Sequence, residues 1–147
     1  MKKTISLFIL LLITIFLFPL ESLAQIQTRL RVIRASNVGS SIDPSLRDVH
    51  KELGSLFSFT SYRLLIDEPL NLSPNRPISV SAREGRIMIE TTLLGMSKGV
   101  AELRIRVTRE GKDILNTQVR LFSGRTVLIG GPKLREGVII YAFSARF

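Results

Sequence analysis

The tripeptide Arg-Glu-Gly occurs three times in the C-terminal half of this 147-residue chain. The copies begin at Arg83, Arg109 and Arg135, so that each follows the one before it by 26 residues. An equal spacing of this size is typical of a repeated supersecondary unit, and a run with β-strand alternation follows each copy. The repeat therefore predicts one antiparallel meander of about five strands, with the three tripeptides in its turns.

Alternation of apolar and polar residues indicates the strands of this meander. Residues 100–108 show the clearest alternation, with Arg104 and Arg106 between aliphatic side chains. Residues 138–147 are apolar on both faces, which predicts either a central position in the sheet or a face that a partner covers. The run Gly130-Gly131-Pro132 lacks the ending of a phosphate-binding loop and predicts a β-bulge or a wide turn.

The N-terminal half predicts a strand, a helix and a second strand. Residues 26–36 alternate as a half-buried strand, and Asp43-Pro44 is a helix start followed by apolar residues at helical spacing. Residues 57–66 return to an extended pattern, which suggests a right-handed crossover that packs the helix on the sheet. The proline-rich residues 67–77 are expected to form a surface connection. The fold class predicted is α+β, a mainly antiparallel sheet with one amphipathic helix packed on it after an N-terminal strand.

The first 24 residues have the pattern of a secretory signal peptide. Lys2 and Lys3 precede an apolar run over residues 5–20, and Ser22-Leu23-Ala24 supplies small residues at a cleavage site before Gln25. An uncleaved membrane anchor is the alternative. We expect residues 25–147 to form a single α+β domain that is exported. The absence of cysteine means that packing alone must stabilise it.

The charge of the chain points to anionic partners. Of 21 Lys and Arg and 12 Asp and Glu, the leader removes Lys2, Lys3 and Glu21, which leaves 19 basic and 11 acidic residues and a net charge of +8. In an exported protein the corresponding anions are lipid headgroups, lipopolysaccharide, glycans or an acidic protein surface. Nucleic acid is not expected, because export removes that target and the chain offers no Trp and two Tyr for stacking. The alternative is that the charge serves solubility.

Antiparallel geometry predicts where the basic residues gather. Two strands separate successive Arg-Glu-Gly turns, so all three turns should emerge at the same end of one sheet. The candidate anion- or partner-binding residues along this rim are Arg83, Arg86, Arg109, Lys112, Lys133 and Arg135. A second set of basic residues belongs to outward strand faces: Arg29, Arg31, Arg104, Arg106 and Arg120. The alternative interpretation of the tripeptide is turn chemistry, in which glycine supplies a positive φ.

The sequence contains no motif for catalysis. It has one histidine, His50, at the edge of the helical stripe, and no Ser-x-x-Lys or Gly-x-Ser-x-Gly arrangement. The adjacent acids Asp67 and Glu68 should point apart at a strand end, which does not suit an acid–base pair. We therefore predict a protein that is not an enzyme, without catalytic residues, metal or cofactor.

Three segments carry a resemblance. Residues 42–46, residues 59–65 and Gly130-Gly131-Pro132 resemble a pattern in a family of small exported proteins of Gram-negative bacteria that has no assigned role. The strand-helix-strand opening is similar, more weakly, to the short periplasmic domains that precede secretins and TonB-dependent receptors. The resemblance implies the fold and the compartment, that is, a protein in the periplasm of a Gram-negative bacterium or secreted by it, and it supplies no catalytic residue or partner.

Together these observations predict a non-enzymatic binding or assembly component of the cell envelope that docks on an anionic surface or protein through an arginine-rich face. The alternative is a structural subunit of a periplasmic or outer-membrane-associated complex, joined through its C-terminal strand. The interface residues expected for that alternative are Tyr141, Phe143 and Phe147.

Overall fold

A computed structural model describes residues 25–147, which contain eight β-strands and one short α-helix. The predicted signal peptide lies outside the described residues. The strands are β1 (Ile26–Ser36), β2 (Ser61–Leu72), β3 (Ile78–Ala82), β4 (Ile87–Ser97), β5 (Val100–Arg109), β6 (Lys112–Phe122), β7 (Thr126–Leu134) and β8 (Gly137–Arg146). The helix α1 spans His50–Leu56, and two 3₁₀ turns span Pro44–Leu46 and Glu84–Arg86. No helix of residues 25–147 is long and apolar enough to cross a membrane.

The strands form two four-stranded antiparallel sheets. The first sheet has the order β2-β1-β8-β7, and the second has the order β3-β4-β5-β6. The expected class, a mainly antiparallel sheet with one helix, is confirmed in this β-rich form, although the strands are more numerous than expected. The prediction that the C-terminal half forms a single meander is wrong, because the chain leaves the second sheet after β6 and enters the first at β7.

The main core lies between the two sheets. Leu30, Val32 and Phe143 of the first sheet and Ile89 and Leu103 of the second are completely buried in one cluster. Alternation places these residues on the inner faces, and each sheet removes the apolar face of the other from water. This stacking explains why the eight strands do not form one continuous sheet, because the apolar face of such a sheet would be left in water.

The helical segment covers the outer face of the first sheet. Leu46, Val49 and Leu53 pack on Ile33 and Ile140 in a second buried cluster. The predicted apolar stripe is therefore confirmed as a cover for the sheet, although the α-helix begins only at His50. Asp43 caps the preceding 3₁₀ turn, since its carboxylate accepts a hydrogen bond of 3.0 Å from the backbone amide of Ser45.

Two expectations for the N-terminal half are wrong. β1 and β2 are antiparallel neighbours, so the helical segment is an insertion between paired strands and not a right-handed crossover. The stretch expected to be a surface connection from residue 67 continues β2 as far as Leu72, through Pro69. A strand at the edge of a sheet tolerates proline, because the missing amide need not face a neighbouring strand.

The glycine pair and the last strand follow the sequence pattern. The register of β7 against β8 shifts between Gly130 and Lys133, which confirms a bulge. A Cβ atom on Gly131 would lie 2.7 Å from the ring of Tyr141, so the bulge needs glycine here. β8 pairs with β1 on one side and with β7 on the other, which confirms a central position for this two-sided apolar strand.

Gly137, the third glycine of the repeat, is expected to tolerate no side chain. A Cβ atom at this position would collide with the backbone carbonyl oxygen of Ala35 on β1. We predict that Gly137→Ala lowers the free energy of unfolding by about 2 kcal/mol, as overpacking of backbone does. Gly95→Ala is the matched control, since a Cβ there meets nothing within 4 Å. Urea unfolding checks this, and equal stabilities of the two variants would contradict it.

Candidate anion-binding rim

The three Arg-Glu-Gly copies lie at turns at one end of the sandwich. They follow β3, β5 and β7, so two turns belong to the second sheet and one to the first. Arg34, near the end of β1, approaches Glu84 across the sheets to 3.8 Å, which places these ends side by side. The sequence therefore predicted the common end correctly, but it predicted one sheet where there are two.

The turns are not copies of one conformation. In the second tripeptide, Glu110 and Gly111 have φ of 51° and 78°. In the first turn the positive φ falls on Arg86, at 52°, and in the third it falls on Arg135, at 49°. The glycine of the third copy is needed for close approach to β1, as described above. Turn chemistry of a single kind thus does not account for the repeated tripeptide.

Arginines from both sheets meet in a cleft at this end. The cleft has a volume of about 390 Å³ and is lined by Arg34, Glu84, Arg109, Leu134 and Arg135. Three guanidinium groups thus face one carboxylate, and among residues 25–147 only Arg34 forms an ion pair with it. Arg109 is partly buried and Arg135 is exposed, and the ion pairs of the described chain include neither of them. The cleft therefore has an excess of two positive charges.

Sequence reasoning missed Arg34. It occupies an inward-facing register of β1, in line with Leu30 and Val32, but lies at the strand end where the core opens to water. The available signal was an arginine that continues the apolar face of an alternating strand. Such a residue must lie at an end of the sheet, because in the middle it would be buried without a partner.

The other predicted rim residues lie in or beside the turns at this end of the sandwich. Arg83, Arg86, Lys112 and Lys133 are all exposed. Arg86 approaches Glu110 to 3.5 Å, but its side chain is 81% exposed, so water screens this pair strongly. We define the basic rim as the six predicted residues with Arg34: seven cations against Glu84, Glu110 and Glu136, a net charge of +4.

The strand-face arginines do not form one surface. Arg29 and Arg31 lie on the outer face of the first sheet, whereas Arg104, Arg106 and Arg120 lie on β5 and β6 of the second. Most of them are neutralised by carboxylates in the pairs Arg29–Asp67, Arg31–Asp48, Arg106–Asp113 and Arg120–Glu102. Arg104 has no such pair among the described residues. These arginines thus present much less uncompensated positive charge to an anion than the rim does.

Two of the three expected interface residues are inaccessible. Tyr141 and Phe143 are completely buried, because β8 is central and its inner face meets the second sheet. Burial also raises the pKa of Tyr141 to about 12. Phe147 is 42% exposed, at the end of the sandwich opposite the rim. The expectation that Tyr141 and Phe143 form an interface is therefore wrong.

A second hollow, of about 460 Å³, lies on the outer face of the first sheet beside the helical segment. Arg29, Asp48 and Asp67 contribute to its walls. The guanidinium of Arg29 donates to both carboxylate oxygens of Asp67, one of them at 2.7 Å, and this hydrogen bonding lowers the pKa of Asp67. Because cations and carboxylates compensate each other here, the hollow is a weaker anion site than the rim.

Arg31 connects the first sheet to the helical segment through an ion pair. Its side chain is 1% exposed and donates hydrogen bonds of 2.8 and 2.9 Å to the two carboxylate oxygens of Asp48. This bidentate contact holds the pKa of Asp48 below its usual range. Arg31 is therefore unavailable to a ligand, in contrast to its expected place on an open face.

Among residues 25–147, few side chains are placed as a catalytic group would be. His50 is exposed on α1, and Asp67 is engaged by Arg29. No group of three or more His, Cys, Asp or Glu in these residues is placed to hold a metal ion. The absence of an enzymatic activity stays a prediction.

The fold and the rim define a β-sandwich with a helical cover on one face and a cationic end. Comparison with protein-family models found no match. Comparisons with curated proteins and with solved structures likewise found no significant match.

Acid should destabilise the fold. The pKa values of Asp48 and Asp67 are lowered by their arginines, so each carboxylate contributes stability above its unfolded pKa of about 3.9 and loses it as the pH falls through the lower folded pKa. We expect the free energy of unfolding to fall below about pH 4.5, with a shallower fall in Asp48→Asn. Urea unfolding from pH 7 to pH 2.5 measures both slopes, and parallel slopes would contradict the role of Asp48.

Replacing Asp48 alone in the Arg31–Asp48 pair should lower the free energy of unfolding more than replacing both residues. Asp48→Asn leaves the Arg31 guanidinium buried without its carboxylate, and we expect a loss of about 2 kcal/mol, less than for a fully buried pair because Asp48 is 58% exposed. Replacing Arg31 by Met in the same variant should restore about half of that loss or more. Thermal unfolding of both variants at pH 7 tests this order, and a less stable double variant would overturn it.

Proposed function

We propose that the protein is a non-enzymatic binding component of the cell envelope that docks on an anionic surface through the basic rim. The observation that supports this most is the cleft in which Arg34, Arg109 and Arg135 surround Glu84. Guanidinium groups are well suited to phosphate and carboxylate, because their donors match the two oxygens of such a group. A headgroup phosphate of a lipid or of lipopolysaccharide is the ligand chemistry that fits.

The origin of the rim supports a recognition role over simple solubility. Its charges come from both sheets, through the end of β1 and three separate turns, yet they lie at the same end of the sandwich. Charges that serve only solubility need no such convergence, and like charges brought together destabilise the fold slightly. The two ion pairs at the rim, Arg34–Glu84 at 3.8 Å and Arg86–Glu110 at 3.5 Å, are long and leave the excess charge in place.

Binding to vesicles tests the proposal directly. We expect the purified protein to sediment with vesicles that contain phosphatidylglycerol, but not with phosphatidylcholine alone. Replacing Arg83, Arg109 and Arg135 by serine should weaken binding about 100-fold, at roughly 1 kcal/mol for each lost charge near the surface. Raising the salt from about 0.05 M to about 0.5 M should weaken wild-type binding as well, because the Debye length shortens.

The opposite end of the sandwich supplies a matched control. Arg76, Lys98 and Arg125 are exposed in the connections after β2, β4 and β6, and their replacement by serine removes the same charge. The two sets are also matched in backbone conformation, since Lys98 and Arg135 both have φ near 50°. We expect this control to lose less than tenfold in binding, about 1 kcal/mol. Equal losses in both triple variants would show a net-charge effect and would overturn the docking surface.

The alternative of a subunit joined through its C-terminal strand is not proposed, because both edges of β8 are already paired within the first sheet. An added strand at β8 would have to displace β1 or β7.

A further inference from the structure

We propose that two copies of this chain associate through β6, with the two β6 strands antiparallel, so that the second sheets of the two copies join into one. This inference is independent of the basic rim, because it concerns the edge of the second sheet and not the end of the sandwich. Strand addition uses backbone amides and carbonyls that an edge strand leaves unpaired.

The described sandwich has four edge strands, and three of them carry features that block pairing. β2 contains Pro69 and a register shift opposite Val32–Ile33. β7 contains the bulge between Gly130 and Lys133, with Pro132 inside it. β3 is only five residues long. Prolines, bulges and short edges are the devices by which sheets avoid joining other sheets.

β6 carries none of these devices over most of its length. From Leu115 to Phe122 it pairs with β5 without interruption, and the one register shift lies at its beginning, opposite Val107–Thr108. These eight residues contain no proline and a single charged residue, Arg120. The inward-facing Leu115 and Val119 are only half-buried, whereas the inward-facing residues of β5 are completely buried. The core is thus incompletely covered along this edge.

The sequence of β6 is complementary to itself. A two-fold axis at Gln118 places Ile114 near Phe122 of the second copy, and these two side chains are 40% and 53% exposed in the single chain. The same axis sets Leu115 opposite Leu121, Asn116 opposite Arg120 and Thr117 opposite Val119, so that two of the four pairs, Ile114–Phe122 and Leu115–Leu121, are apolar on both sides. No two like charges come opposite each other. A second copy therefore fits this edge without charge repulsion, which is why we assign the edge to it and not to an unrelated strand.

Charge substitutions at the axis provide the first test. We expect sedimentation equilibrium of the purified protein to show a monomer–dimer equilibrium between about 10 µM and about 1 mM. Gln118→Lys and Gln118→Glu should each weaken the dimer about fivefold, because like charges come face to face at the axis. An equimolar mixture of the two variants should recover a dimer at least as strong as the wild type, since opposite charges then meet. Ser79→Lys, exposed on the β3 edge of the same sheet, is the control and should leave the dimer unchanged.

The absence of cysteine from the chain allows a second test that reads the register. Opposed residues of antiparallel strands have Cα atoms about 4.5–5.5 Å apart, within the range that a disulfide bridges. Gln118→Cys should therefore form a disulfide-linked dimer under mild oxidation, and Ser79→Cys should form no disulfide-linked dimer. A wild-type protein that is monomeric throughout would overturn the proposal, as would a dimer that the charge variants leave unaffected. A monomer that captures a foreign strand at β6 would assign the edge to a different partner and would also overturn it.

Discussion

Burial of two sheet faces against each other is the constraint on which the rest of this structure depends. Each sheet presents one row of aliphatic residues per strand, and neither could keep that face in water. Once the sheets stack, the position of every turn is fixed by the number of strands before it. The basic rim is thus a consequence of core formation, since Arg34 and the tripeptide turns reach one end of the sandwich only because the core aligns the strands.

The central position of β8 follows from the same constraint and decides which surfaces are free. A strand with apolar residues on both faces must be covered on both sides, and in the middle of the first sheet β8 has the second sheet on its inner face and the helical segment on its outer face. Its edges are then occupied by β1 and β7, so the strand that looks most like an interface in the sequence is buried. The open edge falls instead on β6, whose pattern is unremarkable by comparison.

The sequence predicted local structure well and the arrangement of distant segments poorly. Alternation around Arg104 and Arg106 identified β5, and the glycine pair at 130–131 identified the bulge, because both depend on neighbouring residues. The transfer of the chain between sheets after β6 depends on which apolar faces meet, and no local pattern records it. The same holds for Arg31 and Asp48: their contact joins strand and helical segment across 17 residues, and only the folded chain shows that the arginine is buried.

The order and direction of the strands also fix where the two ends of the described domain lie. β1 begins and β8 ends at the end of the sandwich that lies away from the rim, and a strand of ten residues spans about 33 Å. Any attachment through the residues before Gln25 would therefore act at the end of the sandwich opposite the rim. A ligand bound at the rim would thus leave Gln25 and Phe147, the two ends of the described domain, uncovered.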